Sequence, residues 1–266
     1  MIRLVMITMA LLVWWPWACW GAVTFISNAL GGTTTTTSFS ITLPATQAND
    51  IIILEYTHRG TGDGTLGGTY TGGAPTLIHS QLYAMSAFSG KTWWSRATGN
   101  HTGQTITVSG LTNSCAGIVT IYRGALASDD PLNGAIIVGE QNASGDETQA
   151  EITTGTNGAW VVLVVVNSPD LAIATQTNTS PGTITERAER LSTGGTDTSI
   201  AHAAQEKATA GATGAFTWTQ TNAASGSWAY AIIPEPPPPP GTGPGDDNDD
   251  EFEDSSVMPP WFMRRL

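Results

Sequence analysis

The chain is short of charged residues, and of basic ones above all. Only 12% of its 266 residues are charged, against roughly 25% in a typical soluble domain. Ten Lys and Arg stand against 22 Asp and Glu, which gives a formal net charge of −12. Neither the main part, 23–234, nor the stretch that follows it forms a basic patch that would neutralise phosphates. Nucleic acid is therefore excluded as an expected partner.

Cysteine is nearly absent, because only Cys19 and Cys115 occur. Cys19 falls in residues 1–22, where an arginine, a short apolar stretch and small residues are typical of a secretory signal peptide. Removal of this peptide leaves Cys115 alone, so an internal disulfide is excluded and stability must come from the core. The predicted localisation is secreted or cell-surface. A lipid anchor on Cys19 is an alternative, although the leucine usual three positions before such a cysteine is missing.

Long helical periodicity is also lacking. Glycine is frequent, at 30 residues, and threonine is abundant, which favours strands and turns. "IIILEY" (51–56) and "WVVLVVV" (160–166) are continuous apolar runs of strand length, and they predict buried central strands. The best helical candidate, "TERAERL" (185–191), is short and fits a strand equally well. The predicted fold is all-β: a two-sheet antiparallel β-sandwich of about ten strands, jelly-roll or concanavalin-like, over residues 23–234.

The two halves of this region echo each other. Ala97, Thr98 and Gly103 match Ala208, Thr209 and Gly214 at an offset of 111, in the same order of strand-like and turn-like segments. These residue types carry little information, so chance similarity is the alternative. The order of the segments favours an internal pseudo-duplication.

A Pro-rich and acidic linker (235–256) follows the predicted domain. Its composition cannot bury enough apolar surface to order itself. The chain then ends in a short apolar and basic peptide, 257–266, which is either a disordered end or a docking peptide. If it docks, Trp261, Phe262 and Met263 are the expected anchors in a protein partner.

The segment "IYRGALASDDPLNGA" (121–135) is the most suggestive of catalysis or of calcium. Side chains of adjacent residues in an extended chain point to opposite faces, so Asp129 and Asp130 do not converge on one atom. Asp before Pro131, with Asn-Gly just behind, is strong turn chemistry, and a calcium site needs several more oxygen ligands. We expect a turn, with Arg123 pairing with a nearby carboxylate.

The other sequence motifs associated with binding or catalysis are either incomplete or lack the flanking structure that they need. "GDGTLG" (62–67) has the spacing of a dinucleotide fingerprint, but "GTYTGGAP" behind it cannot begin the helix that the fingerprint needs. The four histidines show no zinc spacing, no G-x-S-x-G elbow occurs, and Glu186 with Glu189 is typical of a solvated surface. The sequence therefore predicts no catalytic residues, no metal and no cofactor. A glycosidase that draws two carboxylates from distant strands remains an alternative.

Aromatic residues give the best indication of binding. In "KTWWSRAT" (91–98), Trp93 and Trp94 must face opposite sides of a strand, one in the core and the other exposed. An exposed tryptophan, with Tyr70 in the "GGTYTGG" loop, would stack on a sugar ring. The alternative is that these residues only pack the core.

Five segments together resemble a recurring β-sandwich module of phage tail and bacterial secreted proteins: "TLPATQANDIIILEYTH", "APTLIHS", "TWWSRATG", "GIVTIYRGALASDDPLNGA" and "GATGAFTWTQTNAASGSWAYAIIP". The resemblance spans roughly residues 24–234 and implies a jelly-roll or concanavalin-like sandwich used for adhesion or virion structure, without catalytic residues. The expected function is a secreted or surface, non-enzymatic β-sandwich that binds a ligand, with glycan as the expected partner. A phage tail or virion component is the first alternative, and a carbohydrate-active enzyme is the second.

Overall fold

The structure is a computed structural model that describes residues 22–33, 37–60, 64–83, 88–141, 145–168, 171–192, 197–220 and 224–237. The side chains of 33, 133–138, 140–147 and 220 are not described. Residues 1–21 of the predicted signal peptide, nearly all of the predicted linker and the peptide with Trp261, Phe262 and Met263 lie outside the described residues. Their predicted roles stay predictions.

The described residues form strands and no helix, so they contain no helix that could cross a bilayer. The strands are β1 (Thr24–Thr33), β2 (Ser38–Thr42), β3 (Ile51–Arg59), β4 (Thr65–Gly68), β5 (Thr76–Tyr83), β6 (Phe88–Arg96), β7 (Thr105–Ser109), β8 (Cys115–Arg123), β9 (Leu132–Gln141), β10 (Gly145–Gln149), β11 (Thr153–Thr154), β12 (Ala159–Ser168), β13 (Thr185–Leu191), β14 (Ser199–Lys207), β15 (Gly211–Ala212), β16 (Phe216–Gln220) and β17 (Ala224–Ile232).

Ten of these strands form two five-stranded antiparallel sheets. The N-terminal sheet has the order β1-β8-β3-β6-β5, and the C-terminal sheet has the order β13-β14-β12-β17-β9. Smaller sheets, β2-β7-β4, β10-β16 and β11-β15, complete the structure. The all-β, sandwich-like class predicted from the sequence is confirmed, with 17 strands in the described ranges where the sequence predicted about ten.

The two apolar runs form the central strands of the large sheets, as predicted. Every residue of β12 is buried, and so is every residue of β3 except Arg59. Ile51 and Ile53 of β3 pack with Val162 and Val164 of β12 in a core between the two large sheets. The alternate residues of each strand point outward into a second and a third core. A strand that is apolar on both faces needs a cover on both sides.

The predicted two-sheet sandwich is therefore only the inner pair of layers. On the N-terminal side, β2-β7-β4 covers the outer face of the N-terminal sheet through Phe39, Ile41 and Val108. On the C-terminal side, Phe216 and Trp218 of β16 cover the outer face of the C-terminal sheet. Each half of the chain is thus a sandwich of its own, and the two sandwiches pack back to back through their large sheets.

The two halves have the same strand order. If β9, β10, β12, β13, β14, β16 and β17 are matched to β1, β2, β3, β5, β6, β7 and β8, the C-terminal sheet reproduces the order of the N-terminal sheet. The pair β10-β16 likewise reproduces β2-β7. Edge strand β1 lies against β13, and the matching strand β9 lies against β5, as a two-fold relation between the halves requires.

The segment "TERAERL" is strand β13, so the helical alternative for residues 185–191 is wrong. Its neighbour β14 supplies a complete antiparallel ladder, apart from a bulge between Glu186 and Ala188. Pairing along an open sheet edge outweighs the weak helix propensity of seven residues, which is below the length at which a helix forms by itself.

Candidate functional site

An apolar cleft of about 240 Å³ opens in the N-terminal half. Its floor comes from the outer face of the N-terminal sheet, and its walls come from β4, β7 and the loop that joins β4 to β5. The lining residues are Ile52, Leu54, Leu66, Gly67, Gly68, Tyr70, Gly72, Gly73, Ala74, Pro75, Trp93, Trp94, Ser95 and Ile106.

The size and chemistry of the cleft limit what it holds. Its lining contains no Asp, Glu, His, Lys or Arg, so it offers neither an acid–base pair nor a charge for an ionic ligand. The volume is below the roughly 300–1,000 Å³ typical of sites that bury a drug-sized ligand. The cleft therefore suits one ring with a large apolar face, held by contact and by main-chain polar groups.

Trp93 is the aromatic floor of the cleft. It lies on β6, where it pairs with Leu54 of β3 on one side and with Leu77 of β5 on the other. Its side chain is half-buried and packs against the outer core of the N-terminal half. Its indole nitrogen is buried and has no hydrogen-bond partner among the described residues, so Trp93 presents its ring surface to the cleft and not its N–H.

Trp94 faces the other way, as predicted for adjacent residues of a strand. Its side chain packs against the core between the large sheets, and the Arg96 guanidinium lies 5.8 Å from the centre of its ring. Strand alternation leaves only the main chain of Trp94 to face the cleft. The prediction that one tryptophan is core and the other exposed is wrong in degree, because both side chains are half-buried.

Tyr70 is held rigidly at the wall of the cleft. Its hydroxyl oxygen lies 2.9 Å from Ser95 Oγ, and Ser95 donates in turn to the carbonyl of Gly73. The ring makes an edge contact with His101 at 5.0 Å. Burial raises the pKa of Tyr70 above its usual value, so the hydroxyl stays protonated. Tyr70, predicted to stack on a sugar ring from its loop, is thus a half-buried wall of the cleft; its role in binding stays a prediction.

The same place in the C-terminal half is filled. The pair Leu54–Trp93 corresponds to Leu163–Ala203, so alanine stands where the cleft has its tryptophan. Phe216, Trp218, Ile173 and Ile184 are all buried over this position. The fold is therefore able to close the cleft with ordinary core residues, and the N-terminal half leaves it open.

The aspartates of the 121–135 segment form a turn. Asp129 and Asp130 are exposed, and Asp130 Oδ1 accepts a hydrogen bond from the main-chain nitrogen of Leu132 at 3.0 Å. Arg123 makes the predicted ion pair with a carboxylate, that of the fully buried Asp50, through two hydrogen bonds of 2.8 Å. The segment therefore joins the two halves at a corner.

The remaining sequence candidates are dispersed. The glycine-rich segment continues into strand β4 rather than a helix, so it has no helix N-terminus for a phosphate; its residues 61–63 lie outside the described part. Glu189 accepts a hydrogen bond from the main chain of Ile173 at 2.6 Å, and Glu186 is exposed. Within the described ranges, no group of three or more His, Cys, Asp or Glu side chains is placed to hold a metal ion.

A second cluster of titratable residues lies between the two large sheets, closed to solvent. Glu55 Oε2 lies 2.7 Å from His202 Nδ1, and His202 Nε2 lies 2.6 Å from the hydroxyl of Tyr122. Tyr230 donates to the other oxygen of Glu55. Burial and the Glu55 carboxylate raise the pKa of both tyrosines well above the usual value. All four side chains are fully buried, so the cluster joins the two halves and is closed to solvent.

Sequence reasoning missed this cluster and the depth of the cleft. Glu55 was the available signal, because it is the single charge inside an otherwise apolar run, and a buried charge needs a partner. His202 lies 147 residues away, so no local pattern predicts the pair. For the cleft, the signal was the spacing of glycines around Tyr70, which removes side chains from its wall.

Searches against family models, against curated proteins and against solved structures found no match to this chain.

Proposed function

We propose that this chain is a secreted or surface-displayed, non-enzymatic binding module. The N-terminal cleft takes the ligand, and one ring of a neutral glycan is the ligand that we expect. The observation that carries the proposal is the half-open Trp93 on a floor of apolar residues, at a position that the C-terminal half closes.

The chemistry of the lining favours a sugar ring over an ionic ligand. A sugar presents an apolar face of C–H groups that stacks on an indole, while its hydroxyls seek hydrogen-bond partners. Trp93 supplies the ring surface for that stacking. The absence of cationic side chains from the lining, together with the net charge of −12, disfavours sialylated and other acidic glycans.

In finer detail, we propose that each half is a jelly roll and that the pair arose by internal duplication. The orders 1-8-3-6 and 2-7-4 within the N-terminal half support the first part, and the matching orders of the two halves support the second. Asn49 and Gly158 add a local correspondence, since each adopts a positive φ, 69° and 72°, just before its central strand. On this reading the second copy lost its cleft and kept a structural role.

A phage tail or virion component is the second candidate. It is favoured by the uncharged edge strand β5, which exposes two leucines, because an exposed apolar edge strand is a template for pairing with another chain. The two candidates are compatible if the particle protein also binds a surface glycan.

A glycan array probed with the full chain tests the proposal. We expect binding to neutral glycans, and loss of that binding when Trp93→Ala removes the stacking surface. Stacking of a ring on an aromatic side chain contributes roughly 1–3 kcal/mol by analogy with bases, which corresponds to a loss of about five- to more than one-hundred-fold in affinity.

Two alanines provide a matched control for this experiment. Ala74 is exposed and lines the cleft, while Ala150 is exposed in the C-terminal half and does not line it. We expect Ala74→Glu to abolish binding and Ala150→Glu to leave it unchanged. A blank array, or binding that survives both Trp93→Ala and Ala74→Glu, would refute the proposal.

A further inference from the structure

Four of the side chains that line the cleft carry polar atoms, namely those of Tyr70, Trp93, Trp94 and Ser95. The other lining residues are apolar or glycine. Trp94 packs against the core between the large sheets, and the indole nitrogen of Trp93 is buried. The hydroxyl groups of Tyr70 and Ser95 therefore decide whether any side chain of the lining donates a hydrogen bond to a ligand.

Both hydroxyl groups are committed inside the wall of the cleft. Ser95 donates its only proton to the carbonyl of Gly73, so the Tyr70 hydroxyl is the donor in its 2.9 Å contact with Ser95 Oγ. The Tyr70 oxygen is further enclosed by the carbonyl of Arg96, 3.3 Å away, and by Gly72, where an added Cβ would lie 1.9 Å from it. The side chains of the lining therefore offer a ligand apolar surface and no hydrogen-bond donor.

The floor and the rim of the cleft differ in polarity. Ile52 and Leu54 of the floor are almost fully buried, and Leu66 on β4 adds apolar surface to the wall. At the rim, Gly67 and Gly68 are exposed. They belong to β4, an edge strand of the sheet β2-β7-β4, so main-chain groups on one side of it have no strand partner in that sheet. A ligand that fits is therefore apolar where it enters the cleft and polar where it meets the rim.

We propose that the cleft selects a 6-deoxyhexose, which places its methyl group on the apolar floor and its ring hydroxyls at the rim. This inference rests on the proposed function, because it names the class of neutral sugar that the cleft takes. An ordinary hexose carries a hydroxymethyl group in place of the methyl group. Burial of that hydroxyl without a partner costs affinity, whereas burial of a methyl group adds to it.

Matched pairs of sugars test this selectivity. The methyl glycosides of L-galactose and L-fucose, of L-mannose and L-rhamnose, and of D-glucose and D-quinovose differ within each pair by a single oxygen atom. Isothermal titration calorimetry of the full chain measures the Kd of each sugar. In every pair that binds, we expect the deoxy sugar to bind about 10- to 100-fold more tightly, because an apolar pocket rejects an added hydroxyl by roughly 100-fold at most.

A variant of the wall tests the physical cause of the preference. Leu66 is half-buried and lines the cleft, so the fold should tolerate Leu66→Gln. The new amide gives a buried hydroxyl a partner, and the preference for the deoxy sugar should shrink. Leu77→Gln is the matched control, since Leu77 is exposed on β5 and does not line the cleft; it should leave the preference unchanged. Saturation-transfer NMR should show the largest effect on the methyl protons of the bound deoxy sugar.

The outcomes separate this inference from the proposed function. Equal affinity within the pairs, a preference that Leu66→Gln leaves intact, or saturation that is weakest at the methyl group would overturn the inference, while the glycan-binding module would stand. Binding to neutral glycans on the array without binding to any of the three deoxy sugars would have the same consequence. A chain that binds no neutral glycan at all would refute the proposed function and this inference together.

Discussion

At the scale of single residues, polar groups inside the core set the conditions under which this protein is stable. His79 is nearly fully buried, and its ring stacks on Trp228 with the centroids 4.4 Å apart. Its Nε2 has no hydrogen-bond partner among the described residues. Burial therefore lowers the pKa of His79 from 6.5 to about 4, because nothing nearby compensates a positive charge.

This shift predicts acid sensitivity with a defined sign. A base whose pKa is lower in the folded state contributes stability above its unfolded pKa of about 6.5, and that stability is lost as the pH falls toward 4. This difference between the unfolded and folded pKa of His79 corresponds to roughly 3 kcal/mol in the free energy of unfolding. Urea unfolding of the full chain at pH 7 and pH 4 should show that His79→Phe, which keeps the ring stack, is less acid-sensitive than the natural sequence. An identical loss in both proteins would contradict this cause.

Residue-level sequence reasoning predicted the turn at Asp129 and Asp130 well, because turn chemistry is local. It also predicted that Trp93 and Trp94 face opposite sides, because alternation is built into a strand. It could not predict that Trp93 meets Leu66 and Tyr70 in a cleft. That meeting depends on how β4 and its loop cover a sheet formed by distant strands.

At the scale of elements, the two central strands begin in the same way. Asn49 precedes β3 with φ 69°, and Gly158 precedes β12 with φ 72°. Each donates its main-chain N–H to the end of a neighbouring strand: Asn49 to the carbonyl of Ala97, and Gly158 to that of Lys207. Asparagine and glycine are the residues that adopt this left-handed conformation most readily. In each half, a residue with a positive φ therefore lies just before the central strand, β3 or β12, that supplies core residues on both of its faces.

Substitution at Gly158 measures the free-energy cost of a positive φ separately from side-chain crowding. A Cβ at Gly158 would approach only Glu206 Oε1, at 3.9 Å, so crowding adds nothing. Gly158→Ala should lower the free energy of unfolding by about 1–2 kcal/mol, while Gly158→Asn, which copies the N-terminal half, should cost less. Urea unfolding of both variants of the full chain measures the difference. Equal costs for alanine and asparagine would show that φ is not the cause.

At the scale of elements, the sequence predicted the central strands, which are buried on both faces. It did not predict which small sheet covers the outer face of each large sheet. The runs 51–56 and 160–166 are apolar at every position but one, and they were identified as central strands. The division into two sandwiches was not, because the apolar outer face of each run does not reveal which small sheet covers it. The weak echo at an offset of 111 agrees with that division, because the two halves have matching strand orders.

At the scale of the whole molecule, the halves are joined by a buried ionisable cluster as well as by apolar packing. Glu55 lies on β3 of the N-terminal half, and its partners His202 and Tyr230 lie on β14 and β17 of the C-terminal half. Thr57 and Thr198 make a neutral contact across the same interface at 3.3 Å. A charged group at such a junction stabilises one arrangement of the halves only while its partners are present.

This cluster predicts a non-additive series of variants. His202→Leu should lower the free energy of unfolding by about 3–5 kcal/mol. The variant leaves the buried Glu55 carboxylate with Tyr230 as its remaining donor. Replacing all four members together, with leucine for Glu55 and His202 and phenylalanine for both tyrosines, should cost less than His202→Leu alone. Thr57→Val is the neutral control and should cost about 1 kcal/mol. Chemical unfolding of the full chain gives all three values, and a fourfold variant that is the least stable would contradict the prediction.

The most direct test of the whole account is hydrogen–deuterium exchange of the full chain with and without its best array ligand. The central claim is that one of two similar sandwiches keeps an open binding cleft that the other has filled. The account predicts ligand protection confined to residues 66–75 and 93–95. Protection at the filled counterpart around 171–184, or protection spread evenly over both halves, would contradict it.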